Sequence, residues 1–181
     1  MTGSPAPFDL GLAARARQIV DAAMAMLEEM GWPALTMRPL ADRLGMRAPS
    51  IYKHFANRDQ IKAALVAEGL IEMGQLLHAV VDTGGSVRDV LSAYRAAGLR
   101  SPNLYRLTTF GSLDRATLPD GLEEWSGTPF YLVTGDEHLA QALWSFAHGM
   151  LTLELDGRYP PGSHLDRTWE IGAARFTPAG A

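Results

Sequence analysis

The chain has 181 residues, 47% apolar and 20% charged, a balance that suits a folded, water-facing protein with one or two small cores. Cysteine is absent, which excludes disulfides, thiolate nucleophiles and thiolate-held zinc. The formal net charge of −4 argues by itself against a nucleic-acid binder, but the acidity is uneven: residues 1–60 carry seven cations and six anions, and residues 61–181 carry nine and fourteen.

Residues 1–11 are rich in Pro, Gly and Ser and are expected to form a flexible arm. They show no basic leader before an apolar run, so no signal peptide is expected. No stretch approaches 18 uncharged apolar residues, so no membrane span is expected either. From Leu12 to Met30, Ile19, Ala23, Met26, Leu27 and Met30 recur at helical spacing. Gly31 and Pro33 end that helix. A second helix is expected from Thr36, whose hydroxyl can cap free backbone N–H groups, with Pro39 in the tolerant first turn. A third is expected from Arg47 to Phe55.

Asn57 and Gln60 form a capping box for a long fourth helix that stops at Asp82-Thr83-Gly84-Gly85. Gly69 and Gly74 inside it each cost about 1 kcal/mol against alanine, and suit a bend or a close helix contact. Ser86 and Asp89 cap a helix to about Ala97, and Ser101-Pro102 opens another to Phe110. Residues 111–135 read poorly. Pro119, Gly121, Gly127, Pro129 and Gly135 oppose a long helix, yet Trp125, Phe130 and Tyr131 are too apolar for a simple loop. A helix is expected again from Asp136 to Leu155, and a last one from His164 to Phe176. The fold class is therefore all-α.

The stretch 36–62 carries the functional signal. Ala41 is small, Gly45 follows at a turn, and Ile51 can lock a second short helix against the first. A helix-turn-helix needs those residue types at that spacing, and it leaves the second helix free for a DNA major groove. Five of the seven cations of residues 1–60 lie in this stretch, and four of them, Arg38, Arg47, Lys53 and Arg58, are the candidate DNA-reading charges.

Residues 15–65 resemble the DNA-binding domain of the TetR family of bacterial transcriptional regulators. The matching pieces are Ile19/Ala23/Leu27, Leu35-Thr36-Met37-Arg38, Leu40-Ala41, Leu44-Gly45, Pro49-Ser50-Ile51-Tyr52, His54-Phe55, Arg58-Asp59 and Ile61. The resemblance implies an arm at 1–11, a three-helix helix-turn-helix domain at 12–60 and an α-helical effector-binding and dimerisation domain at 61–181. It implies DNA contacts from Thr36, Arg38, Arg47, Ala48, Pro49, Ser50, Tyr52, Lys53, His54 and Arg58. Arg47 could fork onto a guanine edge, and Arg58 would hold phosphate from a helix N-terminus. Arg47 stands where the family often has a small capping residue, and Pro39 where an acidic one is usual.

Trp144, His148 and Gly149 are similar to the Trp/His/Gly signature of the WHG subgroup of that family's C-terminal domains. By the same resemblance the last two long helices would form a four-helix dimer interface, with Phe146, Met150, Leu153, Leu165, Trp169, Gly172, Ala173 and Phe176. An effector pocket would be lined by Met73, Leu77, Tyr94, Tyr105, Phe110, Trp125, Tyr131, Trp144 and His148.

The expected protein is a cytoplasmic homodimeric repressor, released from a palindromic duplex operator by a small apolar or aromatic ligand. The alternative is a ligand-independent regulator or an activator. No enzyme is expected, since G-x-S-x-G, H-E-x-x-H and P-loop motifs are missing. Neither a cofactor nor a metal is expected, because no two histidines stand four residues apart.

Overall fold

A computed structural model describes residues 7–176. Among them the regular structure is helical: α1 (Ala14–Ala34), α2 (Met37–Arg43), α3 (Ala48–Ile51), α4 (Arg58–Asp82), α5 (Val87–Arg100), α6 (Pro102–Thr109), α7 (Leu122–Thr134), α8 (Glu137–Leu155) and α9 (Leu165–Phe176), with a 3₁₀ turn at Arg115–Thr117. The first six residues of the expected arm lie outside the described residues.

The chain forms two compact units. One, the reading unit, takes Pro7–Ile71 and Ser101–Glu123; the other, the body, takes Glu72–Arg100 and the described part of Glu124–Ala181. The reading unit therefore includes α6 as well as the three helices expected of it. Leu104 of α6 joins Ile19, Ala23, Leu27, Leu40, Ala41, Ile51 and Ile61 in one buried cluster.

Most helix ends follow the expected chemistry. Gly31, at φ 73°, interrupts α1, so the regular first helix stops where its glycine predicts. α2 ends in a Schellman turn: Met46 N–H donates to Ala41 O at 3.0 Å and Gly45 N–H to Asp42 O at 3.1 Å, with Gly45 at φ 60°. Asn57 caps α4 by accepting from Gln60 N–H at 2.9 Å, and the Gln60 side chain accepts from Ala56 N–H at 2.7 Å. Asp89 accepts from the Ser86 amide and hydroxyl before α5, and Asp136 accepts from Leu139 N–H before α8.

Elsewhere the structure departs from expectation. Thr36 makes no side-chain cap, so α2 begins without that support. α3 is regular only over Ala48–Ile51 and continues as hydrogen-bonded turns to Phe55. α5 does not stop before Gly98, which is buried within it, and runs on to Arg100. Ser101 does not cap α6. That cap comes from α1, where the Glu28 carboxylate accepts from Leu104 N–H at 2.7 Å and Asn103 N–H at 3.2 Å. Residues 122–134 form a helix in spite of Gly127 and Pro129.

The two α4 glycines both serve close approach. A Cβ on Gly69 would sit 2.6 Å from Thr108 Cγ2 of α6, and one on Gly74 would sit 2.3 Å from the Trp125 ring of α7. α4 is also long and apolar enough, by length and composition alone, to cross a membrane. It instead buries Ile61, Leu65 and Leu77 completely within the protein and pairs Glu68 with Arg17.

The Glu28 cap ties α1 to α6. Glu28→Ala should lower stability by about 1–2 kcal/mol, the usual cost of losing an N-cap, and Glu28→Gln should lose less because an acceptor remains. Urea unfolding measures both. Equal losses would mean the carboxylate does not act as the cap.

Candidate nucleic-acid interface

Local chemistry shapes the surface of the helix-turn-helix. Ala41 and Ile51 are buried in the helix-turn-helix core, and Gly45 gives the chain room to reverse. Arg47, in extended backbone at φ −77° and ψ 139°, is the N-cap residue of α3 but makes no side-chain cap. The expected contact residues then fall into three groups. Thr36, Arg38, Arg47, Pro49, Tyr52, Lys53 and His54 are exposed; Ala48 and Ser50 are half-buried; Arg58 is turned inward. Tyr52, at 51% exposure, projects from the unit and is not a core residue.

The cations of residues 1–60 divide by what they touch. Arg17 pairs with Glu68, and Arg43 forks onto Glu29 at 2.7 and 2.8 Å, which holds the Glu29 carboxyl below its ordinary range. Arg15 bonds Gln18 at 2.6 Å. Arg58 lies 4.0 Å over the Trp32 ring and donates to the Trp32 carbonyl. Among the described residues, Arg38, Arg47 and Lys53 meet no hydrogen-bond or ion-pair partner. All three lie on the exposed part of the reading unit.

Arg58, expected to hold phosphate, thus has its guanidinium already engaged inside the protein. It fastens the turn after α1 to the start of α4. The sequence offered a signal for this in Trp32, the aromatic residue that follows Gly31.

The expected effector-lining residues fall in both units. Tyr105, buried, and Phe110, exposed, belong to the reading unit; the other seven belong to the body. There Leu77 is fully buried, Met73 is half-buried, and Tyr94 is buried edge-on to Phe130 at 5.7 Å. Trp125 stacks on His78 at 4.8 Å. Tyr131 and Trp144 are exposed, and His148 stacks on Trp144 at 5.7 Å. A groove of about 340 Å³ between α5 and α9 includes none of the nine. A groove of about 910 Å³ in the reading unit includes Phe110 alone. Among the described residues no three metal-ligating side chains cluster.

Half of the expected dimer residues are consumed within one chain. Met150, Trp169, Gly172 and Ala173 are buried there. A Cβ on Gly172 would meet the Phe146 ring at 2.0 Å, and Trp169 Nε1–H donates to Glu154 at 3.2 Å, beside the Arg95–Glu154 pair at 2.6 Å. Phe146, Leu165 and Phe176 stay half-buried and Leu153 is exposed, together with Ile171, which sequence reading missed.

Burial holds the His148 imidazole below its ordinary pKa of about 6.5. The unfolded chain then takes up that proton first as pH falls. The stability contributed by neutral His148 is present above about pH 6.5 and declines as pH drops toward the lower folded value. His148→Gln should flatten the slope of unfolding free energy against pH in that window. An unchanged slope would show that His148 titrates as it does in the unfolded chain.

Residues 19–65 match the model of the bacterial regulatory proteins of the tetR family. That match covers the helix-turn-helix and does not extend to Trp144, His148 or Gly149. An uncharacterized HTH-type transcriptional regulator of Mycobacterium tuberculosis, Rv0681, is 28% identical over 77% of this chain and 69% of its own length. The tetracycline repressor protein class A of Escherichia coli is 41% identical over 30% of this chain and 25% of its own. The HTH-type transcriptional repressor Rv1474c of Mycobacterium tuberculosis is 36% identical over 45% and 43%. The fold is shared with a TetR/AcrR-family regulator of Thermobifida fusca, at TM-score 0.64 and 19% identity over 93% of this chain and 100% of that one. It is also shared with a minocycline complex of TetR from Acinetobacter baumannii, at TM-score 0.58 and 19% identity over 93% and 94%. With its helix-turn-helix matched and its all-α build shared, the chain carries the DNA-binding domain of the tetR family of bacterial regulatory proteins, whose members are DNA-binding transcriptional regulators and not enzymes.

Proposed function

We propose that this protein is a homodimeric repressor that binds a palindromic duplex operator in the cytoplasm and leaves it when a small apolar or aromatic ligand binds the body. The observation that carries the DNA half is the set of unengaged cations, Arg38, Arg47 and Lys53, on an exposed helix-turn-helix. Charges not neutralised inside the protein are the ones available to displace counterions from phosphates. Arg47, Ala48, Pro49 and Ser50 at the start of α3 are the candidates for base edges; Thr36, Arg38, Tyr52, Lys53 and His54 are the candidates for backbone. The repressor sign is supported by the names of two relatives, and ligand release by the minocycline complex of a protein with this fold. A domain division at residue 60 and a WHG-type body remain part of this reading.

Selection of bound duplex from a random pool tests it. The expected product is a palindrome with half-sites about one helical turn apart. Arg47→Ala should relax preference at one symmetric pair of positions. Lys53→Ala should weaken all sequences alike and flatten the salt slope by about one. Arg58→Ala should act mainly by destabilising the fold, with the salt slope unchanged. No enriched sequence at moderate salt would overturn the reading. A ligand that stabilises the protein and leaves the selected duplex bound would favour the ligand-independent alternative.

The partner copy is proposed to meet the outer sides of α8 and α9, where Leu153 and Ile171 are exposed and Phe146 and Phe176 are half-buried. Leu153→Glu with Ile171→Glu should convert a dimer to a folded monomer in sedimentation at micromolar concentration. Gly172→Glu cannot make this distinction, because it collides with Phe146 inside one chain. A wild-type protein that sediments as a monomer would remove the dimer from the proposal.

A further inference from the structure

Pro129 lies in the interior of α7. A helical residue there normally donates its N–H to the carbonyl four positions back, and proline has none to donate. The carbonyl concerned is that of Trp125. His78 of α4 stands 3.0 Å from it through Nε2. A carbonyl can only accept, so the ring carries its proton on that nitrogen. The same imidazole stacks on the Trp125 ring, with centroids 4.8 Å apart and planes 18° from parallel. Gly74, one turn earlier on α4, makes room for that ring, since a Cβ there would lie 2.3 Å from Trp125 Cζ3. All four residues belong to the body.

We infer that His78 is a positioning residue that lends α7, from α4, the hydrogen-bond donor missing at Pro129, so that α7 keeps its helical course past Trp125 only while α4 lies against it. Gly74 sets the distance, the Trp125 ring sets the orientation, and the imidazole N–H replaces the backbone donor. α7 is thereby a conditional helix. Anything that parts α4 from α7 removes the substitute donor at the point where a proline already weakens the ladder. The inference stands on contacts within the body and is independent of the proposed operator, ligand and dimer.

The test is a double-mutant cycle on the full-length protein with His78→Ala, Pro129→Ala and both. Amide hydrogen exchange over residues 126–134 is the readout, with α5 as internal reference. His78→Ala should speed exchange in that segment at least tenfold relative to α5. Adding Pro129→Ala, which restores a backbone N–H to the helix, should recover most of the protection. His78→Gln, which keeps a side-chain N–H donor but loses the stacked ring, should fall between wild type and His78→Ala.

An effect of His78→Ala that is the same size in the Pro129→Ala background as in the wild-type background would overturn the inference, because His78 would then act only by packing on Trp125. Unchanged exchange in His78→Ala would overturn it as well. If His78→Ala alone does not fold, the double variant decides. A folded double variant supports the substitute-donor role, and an unfolded one rejects it.

Discussion

Close approach to α4 is the constraint on which each unit depends. Two helices can pack with their backbones near one another only where a side chain is missing, and α4 omits one at Gly69 and at Gly74. In the reading unit Gly69 lets Leu104 and Thr108 of α6 press against it. In the body Gly74 admits the ring of Trp125. Each glycine costs about 1 kcal/mol of helix propensity against alanine, and burying a side chain the size of leucine offsets more than that. The exchange is favourable at both places, which explains how a helix of 25 residues tolerates two glycines near its middle.

The reading unit is the most legible part of the sequence because its determinants are local. A small residue, a left-handed glycine and an apolar lock between positions 41 and 51 define the turn. The Asn57/Gln60 box defines the start of α4, and the structure differs there only in Gln60 reaching back to Ala56 instead of Asn57. Where determinants are not local, reading from sequence fails in a consistent way. Ser101 has the chemistry of a cap, but the acceptor comes from Glu28 on another helix. Arg58 has the position of a free cation at a helix N-terminus, but Trp32 takes it. Pro129 should break residues 122–134, but His78 answers the missing donor. Each time a polar group is judged from its neighbours in sequence, and its partner lies on a different helix. Backbone groups at helix ends and proline sites must find partners somewhere, and sequence proximity does not limit where.

The apolar stripes of α8 and α9 show a related ambiguity. Periodicity identifies which side of a helix is apolar, not what it meets. Trp169, Gly172 and Ala173 are legible as a packed surface, but that surface closes on Phe146 and α5 inside one chain. Ile171 stands on an exposed side, where a single apolar residue carries little signal.

The same distinction resolves the charge problem that the composition poses. An acidic protein can present a cationic surface if its arginines are sorted by burial and pairing. In the first 60 residues, Arg17 and Arg43 meet carboxylates and Arg58 meets an aromatic ring and a carbonyl, so their charge is spent on holding helices together. Arg38, Arg47 and Lys53 have no such partner among the described residues and sit on the exposed part of the helix-turn-helix. The counterions of a duplex respond to local field within about a Debye length, roughly 8–10 Å at ordinary salt, and not to the net charge of the chain. The three unengaged cations on one exposed motif are therefore the charges through which this acidic chain is proposed to attract a duplex.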